Sequence, residues 1–321
     1  LATIYGLTYT PGAWIESIQL SKGTGSVVNG HEGMTGQINV ELRKPNAKDN
    51  FYLNLYGSEG GRYEGNLFMK QKLNRNLSTA ILLHGNTRDR RFDRNDDGFM
   101  DSPLSKDVLF INRWKYQHES GWQGQVGFKV NHLNRVAGEM KFVEALDKGS
   151  DEIWGSTNST RRYEGWMKIG KILNEETNSS FGFQLSAITH DQDLTFGLRQ
   201  YDANQNNLFA NFIFQSDIIN PKHSIKAGAS FNYDLYDEDF LGQEFLRDEK
   251  TVGAYAEHTF KATDRMSLVS GLRGDLHNQY GIMVTPRVHF RLALDEAFDS
   301  VFRLIAGKGW RTANLFSENV G

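Results

Sequence analysis

The chain contains no cysteine, which excludes disulfides, iron–sulfur clusters and thiol catalysis. No run approaches the roughly eighteen apolar residues that a transmembrane helix needs. Neither sign of charge dominates: 36 basic residues stand against 39 acidic ones, net −3. No basic stripe or patch is found, which argues against a nucleic-acid partner. Proline is scarce, at 5 residues, whereas glycine reaches 32 and aromatics 12% of 321 residues. That length suits one to three soluble domains or one large barrel. The mean hydropathy of −0.53 does not exclude a membrane. A transmembrane strand needs only about 9–11 residues and shows lipid every second one, so its average hydropathy stays low. Leu1 has no Met, basic n-region or apolar h-region of a start, and the final "KGWRTANLFSENVG" stops without a closing element. The sequence reads as an internal fragment of something longer.

From Asn50 onward the dominant signal has period two. Trp122, Val126, Phe128 and Val130 fall on one face of their stretch, and Gln123, Gln125 and Lys129 on the other. The same sorting recurs at 222–236, with Ile225, Phe231, Tyr233 and Leu235 opposite Ser224, Lys226, Ser230, Asn232 and Asp234. It recurs again at 283–294, with Val284, Val288, Phe290, Leu292 and Leu294 opposite Thr285, Arg287, His289 and Arg291. A helix would scatter these apolar residues around its cylinder; a strand sorts them. About thirteen strands can be marked between Phe51 and Trp310.

Their connections alternate in length. Short turns are expected at 74–76, 119–121, 174–178, 219–221, 263–265 and 295–297. Long loops are expected at 88–106, 136–160, 191–205 and 237–248. Turns through Gly60-Gly61 and Tyr280-Gly281 are shorter exceptions on the long side. Short turns on one rim and long loops on the other are the habit of outer-membrane barrels. Soluble sandwiches and propellers alternate too, but rarely keep strands this long or confine long loops to one end. Trp122, Tyr163, Phe231, Tyr233 and Trp310 are placed as interfacial girdle residues.

Before the barrel pattern lies "SIQLSKGTGSVVNGHEGMTGQINVEL", two alternating stretches separated by small residues. Glycines let a backbone take positive φ and let other backbones approach. No Gly-Lys-Ser/Thr follows and no helix opens, so neither a phosphate loop nor a dinucleotide fingerprint fits. The stretch resembles the end of the plug domain of TonB-dependent outer-membrane receptors, in which a strand, a Lys/Arg-Gly pair, a glycine-containing loop and an Ile-Asn-Val strand follow one another. "KGWRTANLFSENVG" resembles a barrel segment common in the Bacteroidota members of that family.

The resemblance implies an all-β fold: a partial transmembrane antiparallel β-barrel of about thirteen strands with the C-terminal part of a luminal plug. Residues 1–45 would be plug and residues 46–321 barrel, within a complete barrel of about 22 strands. It implies active import across the bacterial outer membrane of a scarce, bulky nutrient: a ferric siderophore, another metal chelate or a cobalamin-like ligand. The motif departs from the starch-utilisation type of receptor, which argues against an oligosaccharide. The partners would be TonB, reached through a plug segment outside this chain, outer-membrane lipid and the ligand itself. Lys22 and Gly23 occupy the basic-plus-glycine position, where the cation would pair with acids on the barrel wall. Lys is a point charge without a bidentate fork, so that lock would be weaker than one made by Arg; a solvated lysine beside a turn is the alternative. Gly30 and Gly36 would let the plug lie against the wall. Asn29, His31 and Glu32 on the plug loop, with Arg287, His289 and Arg291 on the wall, are the candidate ligand contacts.

Two other functions compete. An outer-membrane protease or lipase would need a catalytic constellation, for which His190-Asp191-Gln192-Asp193 is the nearest material; no Gly-x-Ser-x-Gly elbow exists, and no catalytic residue is named. A passive porin or adhesin has no need of a luminal domain.

Lastly, "FDRNDDGFMDSP" spaces Asp93, Asn95 and Asp97 as positions 1, 3 and 5 of a calcium loop, with Gly98 at the sharp turn, the Phe99 carbonyl next and Asp101 beyond it. Calcium is expected there as a structural cofactor of an extracellular loop. The closing bidentate Glu is absent, Leu104 standing in its place. An acidic, solvated loop tip is the alternative.

Overall fold

The computed structural model describes residues 6–295 and 300–315. Two sheets account for nearly all of it. The first is a hairpin of β1 (Ile15–Lys22) and β2 (Gly36–Leu42). The second has thirteen strands in strict sequence order, each antiparallel to its neighbours. These are β3 (Phe51–Gly57), β4 (Arg62–Lys72), β5 (Leu77–Arg88), β6 (Leu104–Gln117), β7 (Trp122–Gly138), β8 (Gly155–Asn174) and β9 (Ser179–Phe196), then β10 (Arg199–Asp217), β11 (His223–Phe240), β12 (Gln243–Lys261), β13 (Met266–His277), β14 (Gly281–Asp295) and β15 (Ser300–Gly307). Among the described residues β3 and β15 are the two edges of this wall.

The wall is inverted relative to a soluble sheet. Val126, Phe128, Val252 and Leu272 are 48–56% exposed. On the opposite face Asn131, Asp275, Thr285 and Arg287 are at most 2% exposed. Polar groups are buried on the concave side and apolar ones lie bare on the convex side, which suits lipid outside and a packed, polar lumen inside. Trp122 and Val130 share the face of Val126, and Gln125 and Lys129 take the other, with Lys129 buried.

The short-turn rim is built from side chains that imitate a backbone turn. Asn74 accepts from the N–H groups of Asn76 and Leu77, Asn174 from those of Glu176 and Thr177, and Asn220 from that of Lys222. Of the expected turn at 295–297, positions 296 and 297 lie outside the described residues, as do positions 1–5 of the N-terminal segment and 316–321 of the final motif.

The other rim differs from expectation in two places. The stretch 191–205 is no loop: β9 runs to Phe196, β10 starts at Arg199, and Gly197 takes φ +58 in a two-residue turn. The stretch 237–248 likewise closes through Leu241-Gly242, both at positive φ (57° and 79°), as a primed hairpin turn requires. The other two connections are long, but shorter than expected: β6 already starts at Leu104, and β7 and β8 continue to Gly138 and from Gly155. These two long loops meet. Phe99 bridges Glu139, the Met100 N–H donates to the Gly138 carbonyl, and the Met140 N–H donates to that of Gly98.

Strands of 19 or 20 residues (β8, β10, β12) are about twice what a bilayer requires. The surplus stands above the apolar band as a polar wall.

The N-terminal hairpin lies on the concave side. Trp14, 1% exposed, packs with Phe68, Ala80, Leu82, Leu109 and Ile111 of β4, β5 and β6. Further along the chain, Val27 is fully buried at the opposite part of the wall, where its short turn Val27–Asn29 touches β11, β12, β13 and β14. The segment therefore crosses the inner face instead of trailing away from it.

Candidate ligand-binding site

The inner period of β13 and β14 sets Arg273 beside Thr285 and Arg287 beside Gly271. Both guanidiniums point to main-chain carbonyls of the N-terminal loop. Arg287 donates to Gly25 (2.9 Å), Ser26 (3.1 Å) and His31 (2.8 Å). Arg273, held by Asp275 at 2.7 Å, donates to Val27 (3.4 Å). The Ser26 hydroxyl donates a hydrogen bond to the Glu257 carboxylate at 2.5 Å, and Thr24 Oγ1 lies 3.4 Å from His289 Nε2. Bare Gly271 is where Val27 sits: a Cβ there would come within 2.8 Å of the valine. Across the wall, Arg113 donates to the carbonyls of Leu42 and Arg43, both at 3.2 Å. A guanidinium is planar, rigid and permanently charged, which suits it to hold several carbonyls at once in a buried setting.

The loop is closed on itself by Gly25 N–H donating to the Gly33 carbonyl at 2.7 Å. Its tip carries His31, whose ring stacks on Trp310 with centroids 3.6 Å apart and planes 3° from parallel. Burial pushes the His31 imidazole down to about 4, against the upward pull of Asp275.

Between this tip and the upper wall opens a cleft of about 350 Å³. The loop contributes His31 and Glu32; β11, β12 and β13 contribute Asp234, Tyr236, Arg247, Glu249 and His277; the stretch after β15 contributes Trp310 and Arg311. Arg247 is bound by Glu238 (2.8 Å) and Glu249 (2.7 Å). Asp234 accepts from Gln205 (2.6 Å), Asn207 (3.0 Å) and Asn232 (2.5 Å). Glu32 is raised above the usual carboxylate range, first by burial and then by the negative charge of Asp234, with Arg311 pulling the other way and Glu249 adding a smaller push.

His31 and Glu32 thus meet in the cleft. Asn29 is exposed and donates to Gln37 at 3.0 Å. Arg287 is committed to the loop backbone, His289 sits near Thr24, and Arg291 is exposed on the short-turn half of β14. Lys22 is exposed and makes no ion pair among the described residues; the charge that grips the loop here belongs to the wall. Gly23 faces Ile305 of β15, with φ +81. Gly36 is close to its own hairpin partner, where a Cβ would meet the Ser21 carbonyl at 2.8 Å. Gly30 has open space around it and is required by its φ of +103. Trp310 is not a girdle residue: β15 ends at Gly307, and the chain then turns inward to the loop tip.

In the loop 93–101, Asp93 accepts from the N–H groups of Asp97 (3.1 Å) and Gly98 (2.8 Å), Asp97 from Phe99 (2.8 Å) and Asn95 (2.9 Å), and Asp101 from Arg94 (3.2 Å). Gly98 takes φ +84. Among the described residues no group of three or more His, Cys, Asp or Glu stands together to hold a metal. The stretch 190–193 is split by strand alternation: His190 is buried on the inner face beside Arg162, whereas Asp191 and Asp193 take the outer face. No acid–base pair forms there.

Comparison with solved structures places this architecture. The alcaligin outer membrane receptor FauA from Bordetella pertussis superposes with a TM-score of 0.66 at 9% identity, over 89% of this chain and 48% of that one. The siderophore receptor PiuA from Acinetobacter baumannii gives 0.68 at 10%, over 88% and 52%. The copper transporter OprC gives 0.68 at 13%, over 90% and 49%. The fold is that of an outer-membrane receptor barrel. The chain spans about half the length of each of these receptors. No family model and no curated protein matches the sequence.

Sequence reasoning missed Arg113, Arg273, Asp275, His277 and Trp14. The signal for the first four was present: each is a charged or polar residue on the inner period of a strand whose outer period is apolar. Trp14 is a lone aromatic before a short strand and gives no such signal.

Proposed function

We propose that this chain is the plug-bearing part of a TonB-dependent outer-membrane importer of the Bacteroidota type, with residues 1–45 as plug and 46–321 as barrel wall. One observation carries the reading: a segment held by buried wall arginines across the concave, polar face of a sheet whose convex face is apolar. A ligand enters the cleft from the long-loop rim and rests on the plug tip. TonB, pulling from the periplasmic side, displaces the plug and opens the way. Nothing in the ligand is cleaved. The cargo is a bulky nutrient such as a ferric siderophore or another metal chelate. Energy-dependent uptake of labelled ferric chelates into cells, with and without TonB, tests this. The expected result is uptake that stops without TonB; uptake indifferent to TonB and to the proton gradient contradicts it.

Calcium in the loop 93–101 belongs to the same proposal. The alternating oxygen ligands and the glycine turn support it. Binding would draw Asp93, Asp97 and Asp101 away from the main-chain N–H groups they now cap and toward one point. The site would stiffen the joined long loops above the cleft.

A further inference from the structure

The cleft between the plug tip and β11, β12 and β13 has a charge of its own. Glu32, Asp234 and Glu249 line it, and Glu238 stands behind them on Arg247. Against these four carboxylates stand two guanidiniums, Arg247 and Arg311, and the first is already bound by two of the acids.

A second observation is independent of that count. His277 is 2% exposed and lines the same cleft. Its Nδ1 accepts from the N–H groups of Gln279 (3.1 Å) and Tyr280 (3.4 Å). The ring proton of the neutral imidazole therefore sits on Nε2. Among the described residues that N–H has no hydrogen-bond partner, and a Glu249 oxygen lies 3.9 Å away. The Trp310 indole N–H is likewise buried without a hydrogen-bond partner among the described residues. A buried donor left without an acceptor is costly, so a molecule supplying one there gains what the cleft otherwise forgoes.

We infer that this cleft is a subsite for a cationic nitrogen with a neighbouring oxygen acceptor, the nitrogen facing Glu32 and Asp234 and the oxygen facing the N–H groups of His277 and Trp310. The inference rests on the import reading and narrows its ligand: a chelate presenting a protonated amine beside hydroxamate or hydroxyl oxygens fits, and a polyanionic catecholate chelate meets like charge.

A matched pair of probes tests it on the receptor purified from its outer membrane. One is the ferric complex of a linear trihydroxamate ending in a free amine; the other is the same complex with that amine acetylated. The two differ in one charge. The expected result, by calorimetric titration, is at least about tenfold tighter binding of the amine form, a difference of roughly 1.4 kcal/mol. Glu32→Gln combined with Asp234→Asn should close that gap, with thermal unfolding showing that the variant is folded. Equal binding of the two forms by the wild-type receptor overturns the subsite, as does tighter binding of a ferric tris-catecholate, and neither touches the import reading. Failure of all three chelates to bind overturns the subsite as well. The import reading falls separately, on uptake that ignores TonB.

Discussion

Arg287 serves three main-chain carbonyls from a position 2% exposed, which makes it the residue on which the loop 24–33 most depends. Hydrogen bonds to a charged group contribute about 1.5–3 kcal/mol each in mutational series, with strong non-additivity when they share one side chain. Arg287→Ala should therefore loosen the loop by about 3 kcal/mol in total, read as faster amide exchange over 24–33 while the β5–β8 wall exchanges as before. Arg287→Lys should restore only part of this, because an ammonium cannot fan out over three carbonyls; full protection in the alanine variant would remove the anchor role. His31 adds a pH dependence. Its imidazole titrates at about 4 when docked, against an ordinary 6.5. Between these values the undocked loop binds more protons, so docking is at full strength above 6.5 and weakens as the pH falls toward 4. Asp275, Arg273, His277 and Arg287 face the ring and Trp310 covers it; of these only Asp275 opposes the downward shift. Amide protection of 24–33, taken relative to the intrinsic exchange rate at each pH, should be weaker at about pH 5 than at about pH 7, and His31→Asn should flatten that difference.

Strands and turns show where the sequence was legible. Thirteen strands were expected, and thirteen lie in the wall, because inside the bilayer one face must be apolar and the other polar, and that contrast is written residue by residue. The two misplaced loops fail for the same reason in reverse. Above the bilayer both faces are wet, so Asp191, Asp193, Asp202 and Asn204 carry no alternation although the strand continues through them. The N-terminal hairpin was legible from its two alternating stretches, but its grip was not, since a carbonyl acceptor leaves no trace in a side-chain pattern. Two predictions belong here. Val126→Arg, on the apolar face, should cost about 2–4 kcal/mol if it lies near the bilayer midplane, whereas Gln125→Arg on the luminal face should cost far less; refolding into vesicles measures both, and equal costs would contradict the assignment of faces. Calcium should protect the Arg90-Arg91 region of the long loop from protease, and Asp97→Ala should abolish the protection; identical cleavage with and without the ion would leave a loop held only by its own hydrogen bonds.

At the scale of the whole molecule the account is a plug pinned at both ends to one curved wall, by Trp14 against β4, β5 and β6 and by Val27 against β11, β12, β13 and β14. On the import reading proposed above, one of these ends has to let go. The chain has no cysteine of its own, so within it an engineered pair meets no competing thiol. A Cβ placed on Gly271 would stand 3.5 Å from that of Val27, at the short end of the disulfide range of about 3.5–4.5 Å. Val27→Cys with Gly271→Cys therefore ties plug to wall by a bond whose reduction frees it again. The account predicts that the oxidised receptor binds its chelate but no longer takes it up, and that a reductant restores uptake. Undiminished uptake by the fully cross-linked receptor would contradict it.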